Sequence, residues 1–185
     1  MRLPRRSALV SAAVEEQCSE PTSLVEIIRT STKELLDAYG VSSRLVEYTG
    51  TPATEFALAF AAVIGFTGEA LRGTLLITTT ITTLERSNPV PGSPVREWIA
   101  ELANQLLGRI KNQLLSCDVE INLTTPLVLR GQHLSVESLR DSRPIEMETD
   151  GGPIFVWLEN EGIEGLVLVR RPKLNAKVEG DSFLF

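Results

Sequence analysis

Glu101, Asn104 and Gly108 lie in the stretch SPVREWIAELANQLLGRIKNQLL, which runs from Ser93 to Leu115. Spacings of three and then four residues stack them on one stripe of a helix, beside Glu97, Lys111 and Asn112. A carboxylate in such a place makes strong, directional contacts with a cation. An amide is no useful base at neutral pH. It donates and accepts at once, however, so it can hold a water or a polar partner. Helix stability alone asks for neither the amide nor the glycine. Asn competes for backbone hydrogen bonds in a helix interior, and Gly costs about 1 kcal/mol against Ala there. Gly108 instead leaves a smooth patch where another backbone can come close. The bland reading is a solvated helix face; the sharper one is a surface that meets a partner.

The other side of the same stretch reads as core. At about 100° per residue, Val95, Ile99, Leu102, Leu106, Ile110 and Leu114 share one face, and Ala103 and Leu107 widen it. The spacing predicts a helix from about Pro94 to Leu115 packed on a sheet through Leu102, Leu106 and Ile110. Ser93 can cap it and Pro94 suits its first position. Upstream, SLVEIIRTSTKELLDAY places Leu24, Ile27, Ile28, Leu35 and Leu36 at helical spacing, and Gly40 ends the helix. RLVEYTG is a short strand. TEFALAFAAVIG and GTLLITTTITTL read as two strands joined as a hairpin. ERSNPVPGSP is a loop. After the long helix, DVEINLTTPLVL reads as a strand interrupted at Pro126, and RGQHLSVESLRDSR as a loop with a short helical turn. PIEMETD, GGPIFVWLEN and IEGLVLVRRP are strands with turns at Gly151-Gly152 and Glu161-Gly162. The expected fold class is α+β: a largely antiparallel sheet with the long central helix and an N-terminal helix packed on it.

The chain has 185 residues, enough for one ordinary domain, and 43% of them are hydrophobic. The expected organisation is a tail over 1–20, a single domain over 21–175 and a second tail over 176–185. The formal net charge of -6 argues against a nucleic-acid binder. No window approaches eighteen uninterrupted apolar residues, so no membrane span is expected. The N-terminal apolar run is broken by Ser11 and met at once by Glu15 and Glu16, unlike a signal peptide. Cys18 and Cys117 match no metal spacing and read as free thiols of a cytoplasmic protein. His133 is the only histidine, in a loop and with no visible partner for metal binding or catalysis. Trp98 and Trp157 read as core or core edge. Trp98 falls near the rim of the polar stripe, where it could also touch a partner. VRRPK reads as a solvated strand end.

ELANQLLGRIK resembles the central helix of the CheX and CheC chemotaxis phosphatases, at Glu101, Asn104, Gly108 and Lys111. INLTTPLVLRGQHL is similar to the family strand in which hydroxyl residues precede a proline and a glycine follows, here Thr124, Thr125, Pro126 and Gly131. The terminal β segments are similar too, so the resemblance covers residues 23 to 172. CheC-type proteins carry the Glu-x-x-Asn motif twice. One copy is read here, on the long helix, which favours the single-site CheX type. Where the family has Asp or Ser four residues before the Glu, this chain has Glu97, and the preceding proline-rich loop is unusual.

The resemblance implies hydrolysis of the aspartyl phosphate on a CheY-like receiver. Asn104 would hold water in line with phosphorus, as a glutamine does in small GTPases. Glu101 would pair with a receiver lysine. Glu97, Trp98, Gly108 and Lys111 would contact that partner. No metal or cofactor is expected in this chain; the divalent ion, magnesium, would sit on the receiver. The resemblance also implies a homodimer through β-strands. Two alternatives stay open: a silent module that docks a receiver without hydrolysis, and a structural protein, since related folds serve in the flagellar switch.

Overall fold

The computed structural model describes residues 21–47, 54–56, 60–131, 134–136, 142–163 and 166–170. His133, Cys18 and both expected tails lie outside the described residues. The chain begins with β1 (Pro21–Thr22) and α1 (Leu24–Ala38), followed by β2 (Ser43–Val46), β3 (Thr54–Phe56), β4 (Phe60–Thr67) and β5 (Leu71–Thr79). Two helices follow, α2 (Ile81–Ser87) and α3 (Val95–Leu115). The remaining strands are β6 (Asn122–Leu123), β7 (Leu127–Arg130), β8 (Leu134–Val136), β9 (Ile145–Thr149), β10 (Gly152–Gly162) and β11 (Leu168–Val169).

The main sheet runs β2-β9-β10-β5-β4, and β6 and β7 take the outer edge of β4 in succession. Every pairing among the described strands is antiparallel. The fold is therefore α+β with a largely antiparallel sheet, as expected. β10 and β5 lie at its centre, with Ile154 opposite Thr79 and Gly162 opposite Leu71. Central strands covered on both faces read as near-continuous apolar runs, and IFVWL in β10 is one. Its side chains alternate between two clusters. Ile154, Val156 and Leu158 join α1 and α3 in the main core, while Phe155 and Trp157 pack with Leu76 and Val136 on the opposite face.

α3 crosses the first of these faces and touches α1, α2, β4, β5 and β7. Ile99, Leu102, Ala103, Leu106, Leu107, Ile110 and Leu114 are all buried. Each of these Leu and Ile side chains contributes about 1.5–3 kcal/mol by leaving water. α1 lies alongside, capped by Ser23, whose Oγ accepts from the Glu26 N–H. It ends at Gly40, whose φ of +68° lets Val41 N–H bond back to Leu36 C=O.

Four expectations need correction. GTLLITTTITTL is not one strand: β5 stops at Thr79 and α2 starts at Ile81. β-branched residues favour strands, so the run of threonines and isoleucines hides the boundary. Thr80 decides it, because its Oγ1 accepts from the Thr83 N–H and donates to Gly151 C=O at 2.7 Å. Ser93 does not cap α3; Pro94 occupies the cap position without a side-chain bond, and Ser93 Oγ accepts from Asn88 Nδ2 instead. Part of the expected loop at 130–143 is β8, paired with β3. Among the described residues of IEGLVLVRRP only Leu168–Val169 is strand, and Glu161 and Gly162 complete β10 rather than turn away from it.

Candidate functional site

α3 presents to solvent what it does not bury. Its buried residues fix its rotation on the sheet, and the stripe Glu97, Glu101, Asn104, Gly108, Lys111 then lies along its outer side. Glu97 and Glu101 are exposed; Asn104, Gly108 and Lys111 are half-buried. The structure thus brings these five together on one face, one turn of helix apart. Leu106 is buried while Asn104 is not, the arrangement that the helical spacing requires.

Asn104 makes no side-chain hydrogen bond to any described residue, so its amide keeps both its donor and acceptor ends for another molecule. Glu101 is held from one side: Gln105 Nε2 donates to its Oε1 at 2.7 Å. Gln105 was not singled out in the sequence, although the four-residue spacing from Glu101 is the usual signal for such a pair. Glu97 faces Arg96 only loosely, at 3.6 Å, and both are well exposed. Gly108 has open space above it, since an added Cβ would meet nothing within 4 Å.

Trp98 does not belong to the exposed stripe. It is buried, with its indole N–H bonded to Ser87 Oγ at 2.9 Å and its ring set edge-on to Tyr39 at 4.8 Å. The C-terminal end of α1 covers the side of α3 on which it lies, which the periodicity of α3 alone does not reveal. Trp98 therefore packs in the core and does not offer its ring to a partner, contrary to expectation.

Thr124 serves the sheet edge. Its Oγ1 accepts from Gly65 N–H at 3.0 Å and its own N–H donates to Gly65 C=O at 2.9 Å. Pro126 has no N–H to give, and the edge breaks there into β6 and β7. β7 then runs beside the first turns of α3. Phe60, Pro94, Val95, Arg96, Glu97, Ala100, Val128 and Arg130 enclose an open groove of about 680 Å³ between them. Arg130 lies over the Phe60 ring at 5.6 Å. The groove shares Glu97 with the stripe but does not include Glu101 or Asn104.

The Glu-x-x-Asn spacing recurs at Glu85 and Asn88, which a single-motif reading passes over. The second asparagine has another task. Asn88 Nδ2 donates to Ser93 Oγ at 2.8 Å and its Oδ1 accepts from Val90 N–H at 3.0 Å, tying the loop before α3. Only the Asn104 amide has both ends uncommitted among the described residues of the two motifs.

Among the described residues no group of His, Cys, Asp and Glu is arranged to hold a metal ion. No described helix is long and apolar enough to cross a membrane. Cys117 is a buried free thiol at the end of α3.

Residues 60–150, which contain β4, β5, α3 and β9, match the family described as Chemotaxis phosphatase CheX. No curated protein matches the sequence. The fold is similar to that of the chemotaxis protein CheX from Vibrio vulnificus, at 16% identity over 76% of this chain and 97% of that one, with a TM-score of 0.63. The chemotaxis protein CheX from Desulfovibrio desulfuricans gives 18% identity, 75% and 99% coverage and a TM-score of 0.62. A CheC-like superfamily protein from a Shewanella species gives 19% identity, 75% and 97% coverage and 0.58. Over residues 60–150 the chain thus matches the CheX family, and its fold is that of the CheX and CheC-like proteins.

Proposed function

We propose that this protein is a phosphatase of a CheY-like receiver, with Glu101 and Asn104 as its working pair. The observation that carries the reading is the state of Asn104: an amide with no bonded partner among the described residues, one turn from an exposed carboxylate, on a helix whose other side is locked into the core. A water bridged to that amide can be held in line with the phosphorus of an aspartyl phosphate. Fixing the water removes much of the entropic part of the barrier. Water attacks phosphorus, the bond to the aspartyl oxygen breaks, inorganic phosphate departs with the water's oxygen, and the receiver keeps its aspartate as a free carboxylate. The receiver supplies the phosphoryl group and the divalent ion, magnesium, beside it. This chain supplies register through Glu101 and a receiver lysine, and geometry through Asn104. Glu97 and Lys111 extend the contact along the stripe, and Gly108 lets the partner approach closely. Receivers of this kind work in the cytoplasm, where a free thiol such as Cys117 is at home.

A homodimer belongs to the same reading. β7 is an edge strand with one partner among the described strands, and its Leu127 and Leu129 are 62% and 39% exposed. Light scattering that finds a monomer across a wide concentration range would remove it. The second functional reading is a module that docks a receiver without hydrolysis; the longer acid at Glu97 beside the site favours it. A purely structural role fits the uncommitted Asn104 amide less well.

The test is to add the protein to candidate phosphorylated receivers and follow phosphate loss. Loss faster than the receiver's own decay is the expected result. Binding without acceleration would leave the docking module instead.

A further inference from the structure

Glu101 is joined to a second helix by a chain of hydrogen bonds whose direction is dictated from one end. A carboxylate has no proton to give, so Gln105 must turn its NH2 toward Glu101 Oε1, at 2.7 Å. Its carbonyl Oε1 then faces the other way, toward α1. There the Tyr39 hydroxyl donates to it, also at 2.7 Å. Tyr39 is the C-cap residue of α1, on the turn closed by Gly40. Its ring is set edge-on against Trp98, and Trp98 is in turn fixed by its bond to Ser87. Four side chains thus anchor a solvent-exposed carboxylate to the junction of α1, α2 and α3. No other described residue bonds to Glu101, and its Oε2 stays open.

We propose that Tyr39 and Gln105 are positioning residues for receiver docking: they hold Glu101 in one rotamer with Oε1 occupied and Oε2 presented to the partner's cation. The inference rests on the docking role given to Glu101 above. Its physical basis is entropy. A free glutamate on a helix surface loses rotamer freedom when it pairs, and that loss weakens binding. Here most of it is taken on folding. Tyr39 and Gln105 never touch the receiver in this account and act only through Glu101.

The test is a double-mutant cycle on docking to a CheY-like receiver loaded with beryllofluoride and magnesium. Gln105→Met keeps length and helix propensity but removes both amide bonds. Tyr39→Phe removes only the hydroxyl and leaves the ring on Trp98. Gln105→Met is expected to weaken docking about fivefold, and Tyr39→Phe by less, with melting temperatures near wild type. In the Glu101→Ala background, Gln105→Met is expected to change nothing further. Turnover of the phosphorylated receiver should show a raised KM and an unchanged kcat, since the Asn104 amide is untouched. A Gln105→Met loss that persists without Glu101, or wild-type docking by both variants while Glu101→Ala binds weakly, would overturn the relay alone. Full docking by Glu101→Ala itself would overturn the docking role and the relay with it.

Discussion

Gly108→Ala separates the demands of the fold from those of the partner. A glycine in the middle of a helix costs about 1 kcal/mol against alanine, through extra backbone freedom in the unfolded chain. That gain on substitution is offset wherever the new methyl group collides. At Gly108 an added Cβ meets nothing within 4 Å, so among the described residues no packing reason holds a glycine there. Gly108→Ala should therefore stabilise the protein by about 0.5–1 kcal/mol. For a domain of this size that is about 2–4 °C in Tm at the upper end. Gly73 is the contrast: its Cβ would collide with Glu159 C=O and sit 2.8 Å from the Phe66 ring, and Gly73→Ala should be strongly destabilising. Urea melts of both variants measure the first half of the argument. Docking to a receiver measures the second, because the same methyl group would stand between α3 and a close partner and should weaken binding. A less stable Gly108→Ala would mean that the face is not open. A more stable variant that docks normally would remove Gly108 from the contact.

Leu106→Ala should cost about 3–5 kcal/mol in a urea melt, since Leu106 is fully buried between α3 and the sheet and the site leaves a cavity. Thr80→Ala should cost about 1–2 kcal/mol, because it removes both the α2 cap and the bond to the β9–β10 turn; hydrogen exchange should speed first in α2.

The two-sided character of α3 was legible because helical periodicity separates faces without any knowledge of the neighbours. Leu102, Leu106 and Ile110 fell inside and Glu101 outside on that basis alone. The central strands were legible for the related reason that β10 carries a continuous apolar run and β5 a shorter one among β-branched residues. What periodicity lacks is the position of the next element. Trp98 sits on the flank of α3, and only the packing of Tyr39 at the end of α1 decides that it is buried. The same packing turns Gln105 from an ordinary surface amide into the link between Tyr39 and Glu101. The start of α2 was hidden in a run of threonines and isoleucines whose local preference does not distinguish a strand end from a capped helix. Asn88 shows the opposite failure, a motif spacing that exists in sequence while its side chain is spent on a loop. Short motifs carry information only with their surroundings.

The central claim is that Asn104 positions the attacking water while Glu101 secures the partner, and the most direct test is the hydrolysis rate of a phosphorylated CheY-like receiver at saturating Asn104→Ala. Docking should stay near wild type, because the amide serves the transition state rather than the ground-state complex. The rate should fall by at least about tenfold, the consequence of losing about 1.4 kcal/mol of transition-state stabilisation. Melting should be unchanged, since no described residue bonds to the Asn104 side chain. An unchanged rate in Asn104→Ala would contradict the account.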